Sequence, residues 1–540
     1  MGATFTSFYF LCFYVCLLFL YYLVPKKAQW CVLLFSSIAY YLLSGNGILI
    51  LYPLVSCLSA YMGIRIMSGD GQSGRNRKLR ESSGDQKPGG EQENGGNEIS
   101  GSKRKAALIL VIVLQIGILF VLKYVNFGIH TVNGLSKLFG GTGEVITAFH
   151  FMVPLGISFY TFSILGYVID VYNGIAVPQK NFFKLALYGM YFPVILSGPI
   201  MRYREDGEQF FKPHAFDYKQ VTFGMQRMLW GFFKTLVISE RMNLVVNTVY
   251  GDYGQYGGAY LWFATICFAF QLYTNFSGSM DIVLGMSQTF GLKMPENFET
   301  PYFSKNISEY WRRWHITLGV WMKEYVFYPL LRTSAFTKLG KNLKKRLGKK
   351  RGKQLTTFLA MFLLWFTVGI WHGGDWKYVI GSGLLHWFYI VMGELLTPFF
   401  QTFMEKCHIN PRSRWVDGFR IVRTFFLVNI GFVFFRADSA GTAVSMLKSM
   451  FTSFHPGVFF DGSLFTLGLD WIEMTIAVVS LGILFAISIL QEKGMKIRES
   501  ISQRKLPVRW LIWYALLFYT ILLGYYGPGY SAAEFIYQGF

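Results

Sequence analysis

The stretch QLTTFLAMFLLWFTVGIWHGG, residues 354–374, contains no Asp, Glu, Lys or Arg. Residues 332–353, immediately before it, hold ten basic residues and no acid. A bilayer core needs about 20 apolar residues per helix, and basic flanks mark the cytoplasmic end of a span. The pair reads as one membrane helix with its positive end inside. Residues 1–25, 28–64, 106–122, 253–280 and 474–491 are equally free of charge, and the second of these is long enough for two spans. Spans are expected near 5–24, 28–44, 47–64, 106–125, 152–171, 259–280, 355–373, 377–398, 420–435, 474–491 and 510–527. The fold class is therefore all-α, a polytopic integral membrane protein. It should have about 11 or more transmembrane helices, with re-entrant or interfacial helices besides.

Composition agrees. Of 540 residues, 53% are hydrophobic, 19% aromatic and 15% charged, against about 25% charged in an average soluble domain. That excludes a disordered chain and a soluble enzyme. The net charge of +21 would raise nucleic acid as a partner of a soluble chain. Here it belongs to cytoplasmic loops, no nucleic-acid motif accompanies it, and nucleic acid is not expected. Of the six cysteines, five lie in apolar runs and none forms a Cys-x-x-Cys pair, so neither a disulfide nor a metal site is expected. No fixed-period repeat supports transporter-type internal symmetry.

The first apolar run lacks a basic leader and a small-residue cleavage site, so it reads as a span and not as a cleaved signal. Lys26 and Lys27 follow it, which puts the N-terminus outside. Residues 65–105, rich in Gly, Ser and Asn, read as a disordered cytoplasmic insert. Residues 332–353 read as a second cytoplasmic loop, either an anchor on anionic lipid or an attractor for an anionic cytosolic donor. Residues 183–201 are apolar but broken by Pro193, Gly198 and Pro199, which is tolerated at membrane depth only inside protein or beside water. Residues 220–250 carry Arg227, Lys234, Glu240 and Arg241 among apolar neighbours. They read as a span lining a polar cavity or as a helix lying in the interface. Residues 305–330 are mixed in the same way.

An ionisable group within a span is costly and is a functional candidate by default. His130, His150, His214, His408 and His455 fall in loops or at span ends. His372 ends the run quoted first, about 25 Å along a straight helix from Gln354. Gly373 and Gly374 after it allow another backbone or a ligand to come close. A buried histidine is commonly structural, but this position favours function. Imidazole suits proton abstraction from a hydroxyl near neutral pH. The chain has neither a Gly-x-Ser-x-Gly elbow nor a His-x-x-x-His pair. A second candidate is Tyr310-Trp311-Arg312-Arg313-Trp314-His315-Ile316-Thr317. It could clamp an anionic or carbonyl group, or form an aromatic belt with snorkelling arginines. A third is Asn275-Phe276-Ser277-Gly278-Ser279-Met280-Asp281, where Asp281 reads first as the structural partner of an arginine.

These blocks resemble the membrane-bound O-acyltransferase (MBOAT) family. The run from Trp311 to Leu318, with Glu324-Tyr325 and Tyr328-Pro329-Leu330 after it, is similar to the family signature. Gly369-Ile370-Trp371-His372-Gly373-Gly374 is similar to the block holding its essential histidine. Pro154 to Phe162 with Asp170-Val171-Tyr172, Ser197-Gly198-Pro199-Ile200 with Arg202-Tyr203, and Asn275 to Asp281 resemble further blocks, in the family's order over residues 153–374. Phe432 to Asp438 and Glu534-Phe535-Ile536-Tyr537 resemble the longer C-terminus of the alginate-acetylation branch. The insert at 65–105 and the basic stretch 332–353 depart from the family pattern.

The resemblance implies helices around a central tunnel. It divides the chain into N-terminal transmembrane helices at 1–64, the insert at 65–105, a catalytic core at 106–400 and a C-terminal transmembrane extension at 401–540. It implies His372 as the catalytic residue and His315 as a second histidine on the cytoplasmic side. Trp311, Arg312, Arg313, Trp314, Trp371, Asn275, Ser277, Asp281 and Tyr325 would line or support the tunnel. No cofactor is held tightly; acetyl-CoA, another acyl-CoA or an acyl-carrier thioester is the expected donor. The expected function is transfer of an acyl group, acetyl first, to hydroxyls of an exported or cell-wall polysaccharide. The expected location is the plasma membrane, and the expected partner is an extracytoplasmic esterase-like acetyltransferase. The alternatives are D-alanyl transfer to teichoic acid with an acyl carrier protein and, in another class, a transporter.

Overall fold

The computed structural model describes residues 5–44, 47–68, 101–141 and 145–526. Among them the secondary structure is helical, with a single antiparallel bridge between Phe298 and Trp314. Among the described residues seven helices are long and apolar enough to cross a bilayer: Gly47–Ser68, Gly101–Leu138, Ser334–Trp371, Trp376–Lys406, Arg414–Arg436, Trp471–Glu492 and Leu506–Leu523. Each matches a span expected from sequence. The remaining expected spans are helices that miss this standard. Phe8–Leu23, Gln29–Leu43 and Ile157–Tyr172 have only 16, 15 and 16 residues. Gly258–Thr289 has 32 residues but carries Gln271, Asn275, Ser277 and Asp281. Its position explains its polarity. It is buried along most of its length, so it faces protein, which can satisfy polar side chains that hydrocarbon cannot. On the outermost helix, Leu506–Leu523, only Thr520 is buried.

Gly258–Thr289 packs along a helical column made of Tyr218–Phe232, the π-helical turn Phe233–Ser239, and Glu240–Gly251. Glycines permit the approach. A Cβ on Gly224 would stand 2.5 Å from the Gly285 carbonyl oxygen, and one on Gly231 would stand 2.6 Å from that of Gly278. On each helix the two glycines are two turns apart, so each helix offers a glycine edge to the other. Arg227 and Lys234 of the column line a large cavity. Of the two readings of 220–250, the structure selects the cavity-lining one. The broken segment 183–201 forms Phe182–Met190 and Phe192–Ser197, and every residue from 185 to 201 is buried.

Two expectations need correction. Residues 332–353 are not a loop. Arg332 ends the short helix Tyr328–Arg332, Thr333 caps the next, and residues 334–353 belong to the helical run Ser334–Trp371, which folds at Gly348 with φ 81° and ψ 163°, a conformation open in practice to glycine alone. Gly340 lies against Thr356, and Gly352 against Leu343 and Lys344, so the two arms pack as a helical hairpin. Lys, Arg and Leu are good helix formers, so a basic run need not be a coil. The insert is also narrower than 65–105. Leu51–Ser68 and Gly101–Leu138 are helical up to and from those bounds; residues 69–100 lie outside the described residues, as does Glu534-Phe535-Ile536-Tyr537.

The glycine edge makes a prediction. Gly285→Ala forces its Cβ into the Gly224 backbone, where overpacking costs about 1–3 kcal/mol. Gly117→Ala, on the helix Gly101–Leu138, meets nothing within 4 Å and should be neutral or slightly stabilising. Detergent unfolding of both purified variants checks the contrast.

Candidate active site

The helix Ile307–Arg313 ends where residues 297–299 cross it. Glu299 N–H donates to the Arg313 carbonyl at 2.9 Å, and Ile316 N–H to the Asn297 carbonyl at 3.0 Å. Between those bonds His315 takes φ 47° and ψ 52°, a left-handed conformation uncommon for a residue with a side chain. The turn drives its imidazole into the interior, where it is buried. Asn297 holds it there. The Asn297 Oδ1 lies 3.2 Å from His315 Nδ1 and accepts from the Thr317 N–H at 3.0 Å and the Thr317 hydroxyl at 2.9 Å. An amide oxygen only accepts, so this contact assigns the Nδ1–H tautomer to neutral His315 and leaves the lone pair on Nε2. The ring lies edge-on to Phe276 at 4.9 Å and 5.8 Å from Trp371.

His372 caps the C-terminal end of Ser334–Trp371 and is also buried. Its ring is 4.9 Å from Trp371 and 5.6 Å from Phe435. The glycines around it serve close packing. A Cβ on Gly369 would stand 2.7 Å from the Val379 Cα, and Gly374 holds φ +61° against the Lys123 carbonyl. Both candidate histidines therefore stand against one indole, that of Trp371.

Two cavities border this cluster of rings, with no lining residue in common. The larger, about 960 Å³, reaches Asn297 and Ile316, the neighbours of His315. The smaller, about 20 Å³, is lined by His372, His386, Trp311, Ser382 and the Phe435 ring among others; it has room for about one water. Neither cavity is lined by His315 or Trp371, which lie among packed aromatic rings.

The other candidate residues separate. Trp311 lines the small cavity and stands edge-on to His386 at 5.0 Å. Trp314 stacks on Tyr310 at 5.5 Å. Asn275 and Ser277 are buried on the polar helix, Ser277 accepting from Lys234 Nζ at 2.9 Å. Asp281 pairs with Lys234 at 2.6 Å and Arg227 at 2.8 Å; it lines the large cavity as a neutralised charge. The arginines do not reach the histidines. Arg313 pairs with Glu309 and Glu492, and Arg312 is exposed. Tyr325 stands against Trp321, in a separate neighbourhood where Arg204 bridges Glu324 at 2.6 Å and Asp170 at 3.5 Å.

Two residues escape a reading of the sequence. Asn297 sits in a loop and gives no sequence signal. His386 gives one, since it falls within the expected span 377–398, where an ionisable group is as costly as at His372. Its Nδ1 and the Trp311 Nε1 are buried without a hydrogen-bond partner among the described residues.

Residues 179–422 match the family model for MBOAT, the membrane-bound O-acyltransferase family. The probable alginate O-acetylase AlgI of Pseudomonas aeruginosa is 29% identical over 439 residues, which cover 80% of this chain and 72% of that protein. The peptidoglycan O-acetyltransferase of Helicobacter pylori is 28% identical over 371 residues, 64% of each chain. The teichoic acid D-alanyltransferase of Bacillus subtilis is 30% identical over 288 residues, 52% of this chain and 68% of its own. With seven helices suited to a bilayer and this similarity, the chain belongs to the membrane-bound O-acyltransferase family, as a multi-pass membrane enzyme that transfers acyl groups.

Proposed function

We propose that the enzyme takes an acetyl group from a cytosolic thioester and transfers it to a hydroxyl of an exported or cell-wall polysaccharide, with His372 as the base. Family membership sets the transporter reading aside. The observation that carries the proposal is the pair of buried histidines against Trp371, with one cavity reaching the neighbours of His315 and the other lined by His372. Lys493, Lys496, Arg498, Arg504, Lys505 and Arg509 surround the outer end of the larger cavity or follow it in sequence. By the positive-inside rule that end faces the cytoplasm. The N-terminus is then outside, residues 65–105 and 332–353 are cytoplasmic, and the plasma membrane is the setting. The small cavity lies toward the acceptor side.

The chemistry is a displacement. The hydroxyl oxygen attacks the thioester carbonyl while a neutral His372 nitrogen takes the hydroxyl proton. The C–O bond forms, the C–S bond breaks, and the imidazolium returns the proton to the departing sulfur. His315, fixed by Asn297, stands on the donor side and orients the thioester. The names of two relatives, an alginate O-acetylase and a peptidoglycan O-acetyltransferase, favour acetyl. An extracytoplasmic esterase-like partner would complete delivery to the polymer.

Mass spectrometry of exported glycans tests the assignment. Wild type should add acetyl, and His372→Ala should lower it by about a hundredfold or more. Full acetylation by a normally expressed variant removes His372 from the mechanism. A D-alanyl adduct in place of acetyl replaces the acyl assignment with that of the teichoic acid branch. Asn297→Ala strands the His315 and Thr317 donors and should cut kcat roughly tenfold, about 1.4 kcal/mol of barrier. Steady-state kinetics in nanodiscs checks this, and an unchanged kcat would show that His315 needs no anchor.

A further inference from the structure

The large cavity has one wall inside the family match and one beyond it. Its inner residues, from 226 to 316, fall within 179–422; its outer residues, from 483 to 519, lie on the C-terminal helices outside that match. Its volume of about 960 Å³ is at the upper end of the roughly 300–1,000 Å³ of small-molecule sites.

The charges on its walls narrow the ligand. Arg227 is bound by Asp281 and Glu296, Lys234 by Asp281, and Glu492 by Arg313. The deep part is therefore neutral, with Trp230, Tyr273 and Leu484 among its apolar surfaces. Two lining cations form no ion pair among the described residues, the exposed Lys496 and the half-buried Arg498. Arg498 is held in place without being neutralised. Its Nη1 donates to the Phe223 carbonyl at 2.9 Å and to Gln288 Oε1 at 3.2 Å, and its guanidinium stands 5.6 Å from the Phe223 ring centre. A guanidinium fixed by neutral oxygens keeps donors and a full charge for a phosphate. The exposed carboxylates of Glu299 and Glu499 also border the cavity, which disfavours a polyanion entering beyond its outer end. A long neutral amide arm with a single phosphate fits this arrangement.

We propose that the C-terminal helices complete a donor site in which Arg498 binds the phosphate of a 4′-phosphopantetheine thioester, with the arm lying along the cavity toward Asn297 and His315. This rests on the acyl-transfer reading above. The arm is supplied by coenzyme A or by an acyl carrier protein, and the nucleotide or carrier stays outside the cavity. Residues beyond the family match thereby select the donor.

The test uses the full chain in lipid nanodiscs with three small donors: acetyl-coenzyme A, S-acetyl-4′-phosphopantetheine and S-acetylpantetheine, which lacks the phosphate. Arg498→Gln should raise KM for the two phosphorylated donors by about ten- to a hundredfold. It should leave turnover of S-acetylpantetheine unchanged, which also reports that the variant is folded. Arg498→Lys should recover part of the loss. Equal loss on all three donors, or no loss on any, overturns the proposal. An acetylated acyl carrier protein run beside acetyl-coenzyme A identifies the source; loss with whichever is turned over supports the site, and its absence overturns it. Calorimetric binding of coenzyme A and of the holo carrier protein separates the two readings. Binding that wild type shows and Arg498→Gln loses supports the site even if no acetyl is transferred, an outcome that would sink the acetyl reading alone. Binding of neither by wild type overturns the site.

Discussion

A carboxylate enclosed by packed helices has to be neutralised, and around Asp281 this requirement organises the enzyme. Left alone on a helix in lipid, it would cost about 3 kcal/mol or more. Lys234 and Arg227 meet it at 2.6 and 2.8 Å. They do so only because two glycine pairs bring the column 218–251 against Gly258–Thr289 at backbone contact. The π-helical turn Phe233–Ser239 places Lys234 inside the pair and not in lipid. Pairing makes the wall of the large cavity neutral, and this decides what the cavity can hold.

The same polar helix supports the histidines indirectly. Phe276 packs edge-on to His315, and Met280 Sδ lies 3.5 Å from the Asn297 amide nitrogen. Asn297 in turn fixes His315 and Thr317 together. Neighbouring faces of one helix therefore hold the charge cluster that lines the large cavity and the aromatic edge that confines the His315 ring. Arg414–Arg436 plays a parallel part on the other side. Phe425 contacts Tyr302, Phe432 contacts Trp314, and Phe435 contacts His372. From Phe425 to Phe435 is about 15 Å along a helix, so this aromatic edge runs along the candidate site from Tyr302 to His372.

Close packing also defines the surroundings of the histidines. The Trp371 indole touches both imidazoles and stacks on Phe162 at 6.0 Å. Moving it aside is a conformational step, because the ring must leave its stacked and edge-on neighbours and settle against others.

The membrane class, most of the spans and the candidacy of His372 are legible in the sequence, since long uncharged runs and rare ionisable groups within them are local signals; His315 is a candidate through its motif alone. His386 carries the same signal. The helical hairpin at 332–353 does not follow from its charge, because Lys and Arg suit an exposed helix as well as a loop. The polar helix Gly258–Thr289 is readable as a span, but nothing in its own residues says that protein surrounds most of it. Tertiary structure alone decided that Asn297 anchors His315, that Arg312 and Arg313 turn away from the site, and that C-terminal helices wall the large cavity. Each of these depends on which distant segments come within hydrogen-bond or ring contact. Hydropathy and motif spacing report only on neighbours along the chain, whereas the donors, acceptors and rings that complete this site arrive from elements far apart in sequence.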